Sequence, residues 1–297
     1  MIKIDPKNTA IPAVHQTLLG AIGPRPIAFA STVDADGNPN LSPFSFFNVF
    51  GVNPTTLIFS PSRKGRDNTT KHTYENLKEV PEVVINVVNY NMVQQTSLSS
   101  TEYPKGVNEF VKAGFTPIPS EMVIPARVKE SPVQFECKVR EIIETGDQGG
   151  AGNLVICEIL LIHIDKSVLD DNGNIDPHKI DLVGRMGGDY YCRASGDAVF
   201  IVAKPLQKMG IGIDLLPDYV KNSNHLSGND LGKLGNLETL PTVEEINNYK
   251  TSEPFLKFKV MLAKASDEEH VAYYYAKNLL EQSKITEALK VLMAYNS

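Results

Sequence analysis

Residues 42–77 read SPFSFFNVFGVNPTTLIFSPSRKGRDNTTKHTYENL and combine two kinds of chemistry within a short length of chain. The first part is an aromatic and polar patch, formed by Ser45, Phe46, Phe47 and Asn48. The second part concentrates hydroxyl groups and cations, namely Ser60, Ser62, Arg63, Lys64, Arg66, Thr70, Lys71 and Thr73. Such an arrangement suits a ligand with a flat apolar body at one end and an anionic group at the other.

Two interpretations of this stretch are open from the residues alone. Phe46 and Phe47 would point to opposite faces of a strand, so at least one belongs to a core, and the hydroxyl cluster could be a solvated loop. Alternatively, the stretch binds flavin mononucleotide (FMN), whose phosphate carries about −1.5 to −2 charges at neutral pH. The cations and hydroxyls of residues 63–73 would bind that phosphate. Ser45 and Asn48 would then hydrogen-bond the rim of the isoalloxazine ring.

The composition is that of a globular protein and excludes several function classes. The 297 residues allow one large domain or two ordinary ones, and the net charge of −6 argues against a nucleic-acid surface. No run approaches the ~20 apolar residues of a membrane span, and the start does not resemble a signal peptide. The three scattered cysteines, Cys137, Cys157 and Cys192, suit a reducing compartment, which predicts a cytoplasmic protein with no zinc site.

The first two hundred residues predict mainly strands. Apolar and β-branched runs bounded by turn residues place them at 25–33, 41–50, 55–60, 82–89, 132–145 and 153–169. A helix is predicted over 68–77 with Asn68 as its N-cap, and short helical stretches are predicted near 91–100 and 107–113. Because strands do not alternate with crossover helices, the pattern favours a closed or split antiparallel barrel over a doubly wound sheet.

The last hundred residues have a different character. Residues 198–204 predict a final strand, after which the pattern becomes helical. Thr242 with Glu245 and Ser266 with Glu269 have the spacing of capping boxes. Residues 284–295 predict a closing amphipathic helix. We therefore predict a domain over 1–196 and a mainly helical extension over 197–297.

Five segments, in order along residues 20–195, resemble a known family. They are RPIAFASTVDADGNPNLSPFSFFN (25–48), KHTYENL (71–77), VVINVVN (83–89), PARVKESPVQFEC (125–137) and NIDPHKIDLVGRMGGDYYCR (174–193). Together they resemble the flavin reductase-like proteins that have an FMN-binding split barrel. His72 is a departure, because the family usually has Asp there. Residues 204–241 resemble an extension that is found in a subset of these proteins.

The resemblance implies a fold, a cofactor and an assembly. The fold is mainly β (α+β), an FMN-binding split antiparallel β-barrel with peripheral helices and a helical C-terminal extension that packs on the barrel or on a dimer partner. The activity implied is that of an NAD(P)H-dependent flavin reductase or related oxidoreductase, with hydride transfer at flavin N5. The partners implied are a second copy of the chain and either NADH, NADPH or a redox protein. A non-enzymatic FMN electron carrier and a cofactor-free assembly module are the alternatives.

The predicted site has cofactor-binding residues but no catalytic residue and no metal ligand. Its members are Ser45, Phe46, Phe47, Asn48, Ser60, Ser62, Arg63, Lys71, Thr73, Asn86 and Arg185.

Overall fold

The computed structural model describes residues 1–205 and 208–297, so residues 206 and 207 of the predicted extension lie outside the described residues. The chain divides into two compact units, Met1–Phe200 and Ile201–Ser297, and each is described by itself.

The first unit contains eleven strands. Their bounds are β1 Ala28–Val33, β2 Pro39–Phe44, β3 Phe47–Val52, β4 Thr55–Phe59, β5 Glu82–Val87, β6 Pro117–Ile118, β7 Arg127–Val128, β8 Val133–Glu144, β9 Asn153–Ile164, β10 Val183–Arg185 and β11 Tyr191–Arg193. Seven of them form one antiparallel sheet in the order β2-β1-β5-β8-β9-β4-β3, and β6-β7 and β10-β11 form two small ribbons.

The two ends of the seven-stranded order lie close together. β2 ends at Phe44 and β3 begins at Phe47, so only Ser45 and Phe46 separate the two edge strands. Three residue steps span at most about 11 Å, which means that the sheet must curl until its edges nearly meet. The result is a barrel that is split between β2 and β3. The predicted split antiparallel barrel is confirmed, and the predicted strand 41–50 is two strands that flank this split.

Strand β1 shows how the sequence builds the barrel core. All six of its residues are buried. Ala28 and Ala30 face the barrel interior, together with Phe59, Ile85 and other apolar side chains. Phe29, on the opposite face, packs in a second cluster outside the barrel. Alternating side chains on a strand that is covered on both faces explain why its sequence reads as an almost continuous apolar run.

Four helices surround the barrel: α1 Ile11–Ala21, α2 His72–Glu79, α3 Val93–Leu98 and α4 Glu109–Ala113. Leu77 of α2 belongs to the barrel core, and Phe110 of α4 belongs to the outer cluster with Phe29. These helices therefore cover two different sides of the sheet.

The predicted start of the helix at Asn68 is wrong. α2 begins at His72, with Lys71 as the residue before its first turn. Asn68 has φ of 58° and lies in the left-handed region. Its side-chain oxygen accepts a hydrogen bond from Arg63 Nε at 2.7 Å, and its amide nitrogen donates to the Asp147 carbonyl at 2.9 Å. Because the side chain bridges two segments, it does not cap the helix.

The second unit is helical, as predicted. Its helices are α5 Asp218–Lys221, α6 Gly228–Gly235, α7 Val243–Lys250, α8 Glu253–Leu262, α9 Glu268–Glu281 and α10 Ile285–Tyr295. Its own core includes Phe258, Leu280 and Leu289. The predicted capping box of Thr242 and Glu245 is confirmed.

Two predictions near this unit are wrong. Residues 199–205 form no strand, and Phe200, Ile201 and Val202 are exposed, because no neighbouring strand pairs with this segment among the described residues. Ser266 does not cap α9. Asp267 does, by accepting a hydrogen bond from the His270 amide at 2.9 Å, since the helix begins at Glu268.

Candidate functional site

A buried arginine, Arg25, contacts the residues that connect β2 and β3 at the split. Arg25 is 5% exposed, and its Nε lies 3.4 Å from Ser45 Oγ. Its Nη1 donates to the carbonyls of Leu19, at 2.8 Å, and Ile22, and its Nη2 donates to the Met186 carbonyl at 2.9 Å. Burial, and secondly the charge of Arg185, lower the pKa of Arg25. One guanidinium thus fixes the end of α1, the split and the segment that follows β10.

The aromatic residues at the split point in different directions, as the strand geometry requires. Phe47 is half-buried and packs on the barrel core. Phe46 is 41% exposed, and its ring meets the edge of the His15 ring of α1 at a centroid distance of 6.4 Å. Asn48 is exposed, and its side-chain oxygen accepts from the Val49 amide at 2.8 Å. The split therefore offers an exposed apolar surface with polar groups beside it.

The segment after β4 is tied to the β8–β9 hairpin. Ser60 is buried, its Oγ accepts from the Asn153 amide at 3.1 Å, and the Ser62 Oγ lies 3.3 Å from it. The Arg63 amide donates to the Ala151 carbonyl at 2.9 Å. The Arg63 guanidinium donates to the side-chain oxygen of Asn68 at 2.7 Å and to its carbonyl at 2.8 Å. Arg63 therefore shapes this loop from within.

A cavity of about 230 Å³ lies between this loop and the segment that follows α3. We call it the anion cavity, and its polar lining includes Ser42, Lys64, Thr70, Lys71, Ser99 and Thr101. His72 and Thr73 also line it, so the N-terminus of α2 lies at the cavity, where the helix dipole favours an anion. Lysines, hydroxyls and a helix N-terminus are donors of the kind that phosphate-binding sites use.

A carboxylate already lies among these cations. Glu102 Oε2 lies 2.8 Å from Arg66 Nη2 and 3.5 Å from Lys64 Nζ, and its Oε1 lies 3.5 Å from Lys71 Nζ. The hydrogen bond from Arg66 is the main cause that lowers the pKa of Glu102, and the charges of Lys71 and Lys64 add to it. The Glu102 carboxylate therefore neutralises part of the charge of Lys64, Arg66 and Lys71.

Thr73 and its neighbours connect the anion cavity to the barrel. Thr73 is 1% exposed, and its Oγ1 accepts a hydrogen bond from Asn40 Nδ2 at 2.8 Å, which leaves its hydroxyl proton free to donate. Glu109, which also lines the cavity, accepts from the Leu41 amide at 3.0 Å. Burial raises the pKa of Glu109, while the hydrogen bond from the Leu41 amide opposes the shift.

Asn86 and Arg185, two residues of the predicted site, belong neither to the anion cavity nor to the connection between β2 and β3. Asn86 is fully buried, where its amide donates to the Phe29 carbonyl at 3.0 Å and its oxygen accepts from the Val128 amide at 2.9 Å. It therefore joins β1, β5 and β7. Arg185 lines a different cavity, of about 350 Å³, together with Tyr90, Tyr191 and Arg193.

This second cavity, which we call the arginine cavity, pairs each cation with an aromatic ring. The Arg185 guanidinium lies 4.6 Å from the centre of the Tyr191 ring, and that of Arg193 lies 3.7 Å from the centre of the Tyr90 ring. Arg193 also donates twice to Asp181, each time at 2.7 Å. Backbone hydrogen bonds of 2.9 Å in both directions join Arg185 to Arg25, so the arginine cavity is linked to the split.

Sequence reasoning missed one side of the anion cavity. Ser99, Ser100, Thr101 and Glu102 line it, although the sequence predicted a helical stretch at 91–100. The hydroxyl-rich run TSLSSTEY at 96–103 was the available signal. Of the predicted residues, Lys71 and Thr73 line this cavity and Ser45 to Asn48 lie at the split.

The described residues contain neither a cluster of metal-ligating side chains nor a helix that could span a membrane. In residues 1–205 and 208–297, no group of three or more His, Cys, Asp or Glu side chains is placed to hold a metal ion. Within the same ranges, no helix has both the length and the apolar character that crossing a bilayer requires.

The sequence matches a known protein family and several relatives. The family model for the flavin reductase like domain matches residues 21–178, which is 158 of 297 residues. An uncharacterized protein of Aquifex aeolicus is 38% identical over 191 residues, which cover 64% of this chain and 95% of the relative.

Solved structures give the same result. Nitrilotriacetate monooxygenase component B from Bacillus cereus matches with a TM-score of 0.63 and 27% identity, covering 68% of this chain and 98% of its own. A candidate flavin reductase with a split barrel domain from Shewanella frigidimarina matches with a TM-score of 0.58 and 25% identity, covering 69% and 100%. The family match ends before the helical unit begins at Ile201. The chain belongs to the flavin reductase-like family, and this membership supports a flavin-related oxidoreductase activity.

Proposed function

We propose that the protein binds FMN and acts as an NAD(P)H-dependent flavin reductase or a closely related oxidoreductase. The observation that carries this proposal is the anion cavity, which lies beside an exposed apolar split in the barrel of a flavin reductase-like protein.

The donor set of the anion cavity fits a phosphate monoester. Lys64 and Lys71 supply charge, while the hydroxyls of Thr70 and of residues 99–101 supply short donors. The Glu102 carboxylate at the point where the cations meet is an anion held by them, and so it supports the assignment. A phosphate that carries about two negative charges would gain more from these donors than a carboxylate does.

The split would hold the flavin ring. Phe46 and the exposed face of β3 offer apolar surface, and Ser45, which Arg25 fixes, and Asn48 offer polar groups at its rim. Bound FMN would supply the redox chemistry by accepting a hydride from a reduced nicotinamide. The protein's residues would bind and orient it and keep its ring accessible to the donor.

Of the residues that the sequence predicted for the site, Arg185 is the one whose position changes the proposal most. In the arginine cavity its guanidinium is stacked on Tyr191 and lies apart from Lys71. Two cations beside aromatic rings can bind the phosphates and the bases of a nucleotide. We therefore propose that this cavity binds NADH or NADPH.

A homodimer is part of the proposal. Apolar side chains are exposed on two strands that pair with β4, including Val49 and Phe50 on β3 and Ile162 on β9. Exposed apolar surface of this kind is typical of a protein interface. Packing of the helical unit on the barrel or on a partner stays a prediction, as does a cytoplasmic location, with which the free thiols of Cys137, Cys157 and Cys192 agree.

The test is spectroscopic and kinetic. We expect the purified protein to carry the absorption bands of oxidised flavin, or to quench FMN fluorescence on titration, and to oxidise NADH or NADPH when flavin is present. FMN binding without oxidation of either nucleotide would favour an electron carrier. Failure to bind FMN at all would contradict the proposal and would favour an assembly module.

A further inference from the structure

The anion cavity contains an acid that a phosphate-binding site does not need. Glu102 lies in the segment between α3 and α4, and its carboxylate is within 3.5 Å of charged nitrogens of Lys64, Arg66 and Lys71. All three cations belong to the loop between β4 and α2. Lys64 and Arg66 lie beside Oε2 of this carboxylate, and Lys71 lies beside Oε1.

Lys64, Arg66 and Lys71 converge on a single position, the carboxylate of Glu102. With Lys64, Arg66 and Lys71 in the positions of this structure, a phosphate that contacts all three has its oxygens where the carboxylate oxygens of Glu102 lie. If the carboxylate stayed beside the phosphate, two anions would be in contact and would repel each other. Glu102 and the phosphate therefore compete for the same donors.

The carboxylate is free to leave. The Glu102 side chain is 44% exposed, and Thr101 and Pro104 beside it are also exposed. Ion pairs that are open to solvent are individually weak, so breaking them costs little. Water can solvate the displaced carboxylate at once.

We propose that Glu102 is an internal competitor for the phosphate of the flavin and sets the affinity of the site for FMN. The inference rests on the proposed FMN function. In the free protein Glu102 neutralises part of the charge of the cavity, and it must swing out when the phosphate enters. The apparent affinity for FMN is then lower than the cations alone would give, since only the fraction of molecules with an open cavity can bind. FMN is thereby kept exchangeable.

The test compares Glu102→Gln with the unaltered protein. We expect the variant to bind FMN about threefold to tenfold more tightly, because Gln does not hold the three cations. Riboflavin, which has no phosphate, should bind both proteins equally. Inorganic phosphate should compete with FMN at a lower concentration in the variant. Glu141→Gln, which removes one negative charge from an exposed position on β8, is the matched control and should leave the FMN affinity unchanged.

The possible outcomes separate this inference from the proposed function. If the unaltered protein binds FMN and Glu102→Gln binds it equally or more weakly, Glu102 is not a competitor and the inference is overturned, while FMN binding stands. Equal tightening of riboflavin and FMN would also overturn it, because the effect would then not involve the phosphate. If neither protein binds FMN, the proposed function fails and the inference fails with it.

Discussion

The Nε of Arg25 lies 3.4 Å from the Oγ of Ser45. Because Ser45 and Phe46 alone join the edge strands β2 and β3, a buried cation contacts the connection at which the barrel is split. The same guanidinium donates to the carbonyls of Leu19, Ile22 and Met186. Three segments that are far apart in sequence are thereby fixed at one point. The position of the split depends on this contact.

Replacement of Arg25 tests that dependence. We expect Arg25→Met to lower the free energy of unfolding by about 2–4 kcal/mol, because the part-buried carbonyls of Leu19, Ile22 and Met186 lose a charged donor. Urea denaturation measures the change. Arg140→Gln, which breaks an exposed ion pair with Glu158, should cost less than about 1 kcal/mol. Equal losses in the two variants would show that Arg25 has no special structural role.

Lys71 should contribute directly to phosphate binding. We expect Lys71→Gln combined with Lys64→Gln to weaken FMN binding about tenfold or more, since each charged hydrogen bond contributes about 1.5–3 kcal/mol. Riboflavin affinity should be unchanged. Lys78→Gln, on the exposed side of α2, is a control for the loss of positive charge. A loss below threefold would contradict the role of the two lysines.

Arg63 should act through the loop that it organises. Its two hydrogen bonds to Asn68 need the forked guanidinium, which lysine does not have. We therefore expect Arg63→Lys to weaken FMN binding about as much as Arg63→Gln, although only one of them keeps the charge. Fluorescence titration distinguishes the two cases. Full FMN affinity in Arg63→Lys would indicate instead that the charge itself binds the phosphate.

Arg185 separates donor binding from flavin binding. We expect Arg185→Gln to raise KM for NADH or NADPH about tenfold while the Kd for FMN changes less than threefold, because its cavity is not that of Lys71. Steady-state kinetics and FMN titration on the same preparation give both values. If the FMN affinity falls as far as it does in the lysine variant, Arg185 belongs to the flavin site, as the sequence first suggested.

Glu136 should make stability depend on pH. It is fully buried, and although burial alone would raise its pKa, hydrogen bonds from the amides of Glu121 and Met122 and from His163 hold the pKa below the usual 4.5. A carboxyl with a lowered pKa in the folded state stabilises the fold above its unfolded pKa. That contribution is lost as the pH falls below about 4.5.

The variant Glu136→Gln measures this contribution. We expect it to be less stable than the unaltered protein at pH 7 and to show a weaker loss of unfolding free energy between pH 5 and pH 3. Denaturant titrations at several pH values give both numbers. An identical pH profile in the two proteins would show that Glu136 does not titrate with folding.

Much of the barrel could be predicted because its signals are local. The alternation of Ala28, Phe29 and Ala30, the alternating apolar and polar residues of 133–144 and the apolar run at 153–164 depend only on neighbouring residues and the period of a strand. Thr242 and Glu245 form a capping box within one helical turn. The predicted start of a helix was wrong at Asn68, where the side chain hydrogen-bonds a distant segment. Its amide donates to the Asp147 carbonyl.

In the candidate site too, neighbouring residues were easier to place from the sequence than residues from distant segments. Lys71 and Thr73 were predicted as a cation and a hydroxyl for one phosphate, and both line the anion cavity because they lie two residues apart at the start of α2. Asn86 and Arg185 matched sequence motifs, yet one lies inside the barrel wall and the other in a separate cavity. A motif specifies residue types, whereas the direction of each side chain depends on which strands pair.

By itself, therefore, the sequence determined the strands, the helical last third and a cluster of cations before α2, since period and spacing act over a few residues. Only the tertiary structure decided that Glu102 forms ion pairs with those cations and that Arg25 contacts Ser45. These contacts join residues 20 to 38 positions apart, from Arg25 and Ser45 to Lys64 and Glu102. Such distances are closed by the packing of the whole barrel, which no local pattern encodes.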